Sequence, residues 1–162
     1  MPVKRHPVAV SKSRDPLAMV PLDTALVARL RKTYEQVRAS DLRLAEIFYA
    51  KLFALAPYLR ERFRSEPRAQ AQKLIMALDT VVLNMESPAE NAAMLCAMGK
   101  RHAEYSATPE HYDLVIGLLI DSMGEVLEGA VARDRLEEWR MAFRLISDQM
   151  IAGAGHDDRR RQ

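Results

Sequence analysis

Hydrophobic side chains recur at steps of three and four along most of the chain, and no stretch alternates convincingly in the manner of a strand. That period predicts helices. Asp23 or Thr24 can cap a first helix with apolar positions Leu26, Val27, Leu30, Tyr34 and Val37. Ser40 or Asp41 is expected to cap a second, running to about Ala56, with the stripe Ala45, Phe48, Tyr49, Leu52, Phe53 and Ala56. Pro57 starts a short helical turn ending near Phe63. A longer helix, about Pro67 to Glu86, is apolar around more than one face through Leu74, Ile75, Leu78, Val81, Val82 and Met85. "SPAE" from Ser87 reads as a capping box with proline at the first helical position, opening a helix that ends near His102. "TPE" from Thr108 repeats the start signal for a helix to about Leu127, which Gly129 breaks. A last helix, about Arg133 to Ile151, puts Leu136, Trp139, Phe143, Ile146 and Met150 on one side.

These segments divide the chain into a flexible N-terminal extension (1–21), one folded domain (22–152) and a disordered C-terminal tail (153–162) that should fray. Six or seven helices of unequal length, one of them very short, do not suit a simple up-down bundle. They suit helix pairs crossing steeply around a pocket.

Composition narrows the function classes. The 162 residues are the size of one domain, and 49% hydrophobic residues are enough for a core. The 24 basic and 22 acidic side chains leave a net charge of +2, which gives no global reason to expect nucleic acid or a membrane surface as partner. Basic residues concentrate near the two ends, which read as solvated. The single cysteine, Cys96, sits in "AAMLCAM" and reads as a small hydrophobe. No run of 18 apolar residues or apolar leader occurs, so a cytoplasmic soluble protein is expected.

Two of the four histidines, His102 and His111, lie within "AMGKRHAEYSATPEHY" (97–112); His6 and His156 fall in the expected tails. His102 shares a helix face with Leu95 and Met98. On that ground alone it reads as a hydrogen-bonded core histidine more often than as a ligand. Tyr112 continues an inward stripe to Val115, Leu119 and Met123, while His111 is rotated off it. No HExxH, CxxC or clustered histidine and carboxylate accompanies His102, so a metal site made by protein ligands alone is poorly supported. One histidine facing a large apolar cavity is what a haem iron needs.

The pieces "IFYAKLFALAPYLRERF" (47–63), "QAQKLIMALDTVV" (70–82) and "GKRHAEYSATPEHYDLV" (99–115), with Trp139, resemble the globins, specifically single-domain bacterial globins and the globin part of flavohaemoglobins. The resemblance covers about residues 22 to 152 and rests on spacing as well as residue type. It implies an all-α globin fold of six to eight helices around a pocket for haem b (iron protoporphyrin IX). It places His102 as the proximal iron ligand, Phe63 as the ring-packing phenylalanine, Tyr49 and Gln70 as distal residues, Leu74 beside the bound gas and Tyr112 on the proximal side. Gln72 competes for the distal position, but it is rotated about 200° from Gln70; only Gln70 shares its face with Leu74, Ala77, Leu78 and Val81. Phe53, Leu78, Leu95, Met98 and Val115 would line the pocket, and as ordinary core residues would look the same. Lys73 and Arg101 read equally as partners for haem propionates and as solvated charges.

The resemblance implies reversible binding of O2, NO and CO at a five-coordinate iron with high oxygen affinity. It extends to nitric oxide dioxygenase chemistry, with Tyr49 and Gln70 as the acting residues. No FAD or NAD segment follows in these 162 residues, so an outside reductase is expected. The last helix carries Ala154 where the flavohaemoglobins place a glutamate. The alternatives are a haem-based gas or redox sensor signalling through a partner and a haem-free helical interaction module. Oligomeric state is left open.

Overall fold

The computed structural model describes residues 23–129 and 132–158. The expected N-terminal extension with His6 lies outside them, as do the end of the C-terminal tail and the side chain of His156. Six α-helices and one 3₁₀ segment follow in order: α1 (Thr24–Arg38), α2 (Arg43–Leu55), the 3₁₀ segment (Pro57–Arg62), α3 (Pro67–Leu83), α4 (Pro88–Glu104), α5 (Pro109–Leu127) and α6 (Arg133–Asp158). No strand occurs among the described residues.

Each helix exists because its apolar stripe is buried. Leu26, Val27, Leu30, Tyr34 and Val37 of α1 all enter the core, as do Ile75, Leu78, Val81 and Val82 of α3, and Met85 just beyond it. Trp139 of α6 is buried between Tyr34 and Phe143, with ring centroids 6.0 and 5.3 Å away. α1 is also tied to α3. The Tyr34 hydroxyl donates to Asp79 Oδ1 at 2.6 Å, and Arg38 Nε pairs with the same oxygen at 2.9 Å. Burial pushes the Tyr34 pKa far above the ordinary tyrosine range, and the bond to Asp79 adds to this.

Three expected boundaries change. Neither Ser40 nor Asp41 caps α2: Leu42 precedes it without a side-chain cap, Ser40 Oγ donates back to Val37 O at 2.7 Å, and Asp41 adopts a left-handed φ of 55°. Asp23 caps α1 as expected, accepting from Ala25 N–H at 3.1 Å. Ser87 stands at the start of α4 but its side chain accepts no capping bond, so the "SPAE" capping box does not form. α6 runs on to Asp158 rather than ending near Ile151. Gly153, which read as part of a fraying end, is a packing residue instead. A Cβ on Gly153 would lie 2.7 Å from Cys96 Cα, and one on Gly99 would overlap the Met150 carbonyl oxygen. Glycine at both places lets α4 and α6 cross backbone to backbone.

α4 accordingly packs chiefly on α6, while α3 packs on α2, and α3 and α4 share no substantial contact.

Candidate ligand pocket

Tyr49 and Phe53 lie one turn apart on α2, so both project from the same face. Their rings stack at 5.7 Å. Phe63, directly after the 3₁₀ segment, meets both edge-on with centroids 5.5 Å away. Arg60 sits 4.9 Å above the Phe53 ring, within cation–π range. Gln70, in the first turn of α3, donates from Nε2 to the Tyr49 hydroxyl oxygen at 3.0 Å. Gln72 is exposed, as its rotation on the helix requires. Tyr49, Phe53, Phe63 and Gln70 share a cavity of about 510 Å³ whose remaining wall mixes Ala50 and Pro67 with the polar Glu46, Arg60, Ser65 and Arg68.

Burial raises the Tyr49 pKa above its ordinary value, and the bond from Gln70 acts in the opposite direction. The hydroxyl therefore stays neutral at physiological pH. Its oxygen is occupied by Gln70, and its own proton has no acceptor among the described residues. Accepting one hydrogen bond polarises the O–H and makes it a better donor.

On the other helix, His102 Nδ1 lies 2.8 Å from the Met98 carbonyl oxygen. A carbonyl only accepts, so Nδ1 carries the proton and the lone pair of Nε2 is left available. His102 itself is exposed. The Tyr112 ring lies 5.9 Å away, inclined by 31°, and burial raises its pKa. His111 has a different task. Its Nδ1 accepts from Thr108 N–H at 3.1 Å while Thr108 Oγ1 accepts from His111 N–H, closing a capping box at the start of α5. With Nδ1 accepting, the neutral ring is protonated at Nε2, which faces the Tyr58 hydroxyl at 3.4 Å.

The remaining candidates fall into two sets. Tyr49, Phe53, Phe63, Leu74, Met98, Tyr112 and Val115 pack against the core but stay half-buried. Leu78 and Leu95 belong to the buried core itself. Of the half-buried set, Tyr49, Phe53 and Phe63 line the cavity. Lys73 donates to Ser65 Oγ of the cavity wall at 2.7 Å, and Arg101 is exposed on α4. No three of His, Cys, Asp and Glu converge on one point among the described residues, so His102 stands as a single imidazole. No described helix is long and apolar enough to cross a membrane.

Sequence reading missed Arg60, Arg62 and Arg68. Arg62 Nη1 donates to Tyr105 O at 2.7 Å and approaches Ser106 O at 3.5 Å, across 43 and 44 positions of chain. Its place directly before Phe63 is the only hint the sequence carries. A contact to backbone carbonyls leaves no complementary residue type to find.

A sequence profile described as Globin matches residues 46–150. The chain is 30% identical over 133 residues to a flavohemoprotein of Rhizobium meliloti, covering 76% of this chain and 33% of that protein. It is 26% identical over 139 residues to a flavohemoprotein of Deinococcus radiodurans (79% and 34%). A flavohemoprotein of Bacillus subtilis shares 23% over 133 residues (80% and 33%). The chain spans about a third of the length of these curated relatives.

Proposed function

The chain belongs to the globin family, and from that premise we propose that it holds haem b on His102 and binds diatomic gases beneath Tyr49. One observation carries the reading: a tyrosine hydroxyl backed by Gln70 on one helix, and on another an imidazole whose Nδ1 is tied to Met98 O. The residues fit a flat apolar group with a metal at its centre. The half-buried aromatic and aliphatic set supplies apolar surface on both helix pairs, and α3 and α4 share no substantial contact. His102 Nε2 supplies one nitrogen donor. Haem seated there would supply an iron with one coordination position left for O2, NO or CO.

The chain's own residues determine what happens to that gas. The Met98 carbonyl fixes the His102 tautomer and strengthens Nε2 as a donor. Tyr49 donates its hydroxyl proton to a ligand that carries partial negative charge, and Gln70 holds the phenol in place. A hydrogen bond to a charged acceptor is worth about 1.5–3 kcal/mol, or roughly ten- to a hundredfold in affinity. This favours retaining oxygen over delivering it, and so favours reaction of the held oxygen with nitric oxide. The relatives' name couples a flavin with a haem, so a flavin reductase is the proposed electron source. Lys73 and Arg101 are the proposed partners for the propionates, beside the cavity and on the proximal helix.

Two measurements test this. The Tyr49→Phe protein should release oxygen about ten to a hundred times faster than wild type; an unchanged rate would remove the distal hydrogen bond. Nitric oxide should be consumed through many turnovers when a flavin reductase and NADH are supplied. Consumption that stops after one equivalent per haem would leave a gas-binding globin without that activity.

A further inference from the structure

The end of α4, which carries His102, is built in a strained way. Ser106 N–H donates to Ala103 O at 2.9 Å and Ala107 N–H to His102 O at 3.0 Å, the paired bonds of a Schellman termination. Glycine normally occupies the left-handed position there, yet this chain places Ser106 in it with φ of 60°. The turn leaves the Tyr105 carbonyl facing outward, where Arg62 Nη1 meets it at 2.7 Å, with Ser106 O at 3.5 Å. A cation at a helix C-terminus is also favoured by the helix dipole. Arg62 ends the 3₁₀ segment and is covalently next to Phe63. A single guanidinium therefore ties the end of the His102 helix to the segment that sets Phe63 against Tyr49 and Phe53. A second bridge runs alongside it: Tyr58 of the same segment faces His111 of α5, one residue before Tyr112.

We infer that Arg62 is a positioning residue for the proximal side: it clasps the α4–α5 link, holds the Ser106 turn, and so sets how firmly His102 and Phe63 close on the haem. This rests on the haem reading proposed above. Without the clasp the strained turn can relax and the haem site opens at this end.

The test uses holoprotein carrying wild-type sequence, Arg62→Ala, Arg62→Lys, and Arg62→Ala combined with Ser106→Gly. Haem loss is followed as first-order transfer to excess apomyoglobin. The seating of His102 is read from the iron–histidine stretching band of the ferrous, gas-free protein. Arg62→Ala should speed transfer about tenfold and shift that band, with Arg62→Lys in between. Ser106→Gly should recover at least half of the loss on a logarithmic scale, because glycine holds the left-handed turn unaided. Transfer within twofold of wild type would overturn the inference, and so would faster transfer with an unshifted band, which marks general loosening. If Arg62→Ala does not fold, Arg62→Lys with the same two readouts decides. Wild-type protein that takes up no haem would overturn the haem reading and this inference with it.

Discussion

Tyr49 and Gln70 form an ordered pair in which Gln70 supports the tyrosine oxygen. Gln70 spends an N–H on the Tyr49 oxygen, and Tyr49 keeps its own proton for the cavity. Gln70→Leu should therefore raise the oxygen release rate less than Tyr49→Phe does, since it removes the support and leaves the donor; stopped-flow release with both variants checks the order. Alkali tests the burial of the same hydroxyl. The Tyr49 pKa is raised by burial, so the folded protein holds that proton at a pH where an ordinary tyrosine loses it. Tyr34 and Tyr112 shift in the same direction. Folded-state values above the unfolded value of about 10 mean that this share of stability is full below pH 10. It is lost as pH rises from there through the folded values. Urea midpoints should hold level across pH 8–9.5 and fall above about pH 10, and Tyr34→Phe should flatten that fall. The Tyr49 hydroxyl was legible from its spacing to Phe63. The direction of its bond with Gln70 was not, because spacing places residues and does not assign protons.

The crossing of α4 and α6 sets where His102 stands. Gly99 is three residues before His102, and a side chain there would meet the Met150 carbonyl, which cannot swing aside. Gly99→Ala should destabilise the fold by about 3 kcal/mol or more, at the upper end of overpacking costs, and weaken haem uptake by displacing α4. Gly117 and Gly155 are helical glycines with nothing within 4 Å of a Cβ. Gly117→Ala and Gly155→Ala should each stabilise by about 0.5–1 kcal/mol through helix propensity and chain entropy. Thermal unfolding of the three variants separates packing glycines from incidental ones. The sequence marked the helices correctly by their apolar stripes, since burial of one face is what holds each helix. It misread the end of α6, because glycines that permit close packing look the same in sequence as glycines that end a helix. The absent cap at Ser87 has the same origin: "SPAE" carries the right letters, but a cap also needs the right backbone entry angle, set here by the turn after α3.

Across the whole molecule, the candidate site residues divide between two helix pairs. α2 and α3 carry Tyr49, Phe53, Gln70 and Leu74; α4 and α5 carry Met98, His102, Tyr112 and Val115. α3 packs on α2, α4 packs on α6 and α2 meets α5, while α3 and α4 share no substantial contact. The resemblance in short motifs named candidates on both pairs. The arginine clasp between them was not legible, since it joins a side chain to backbone carbonyls. The central claim is that His102 Nε2 is the one protein atom that holds the iron, and imidazole rescue tests it most directly. Haem should titrate into wild-type protein with a sharp Soret endpoint at one equivalent. His102→Gly should lose that spectrum and regain it when imidazole is added. A His102→Gly protein that keeps the wild-type spectrum without imidazole would contradict the account.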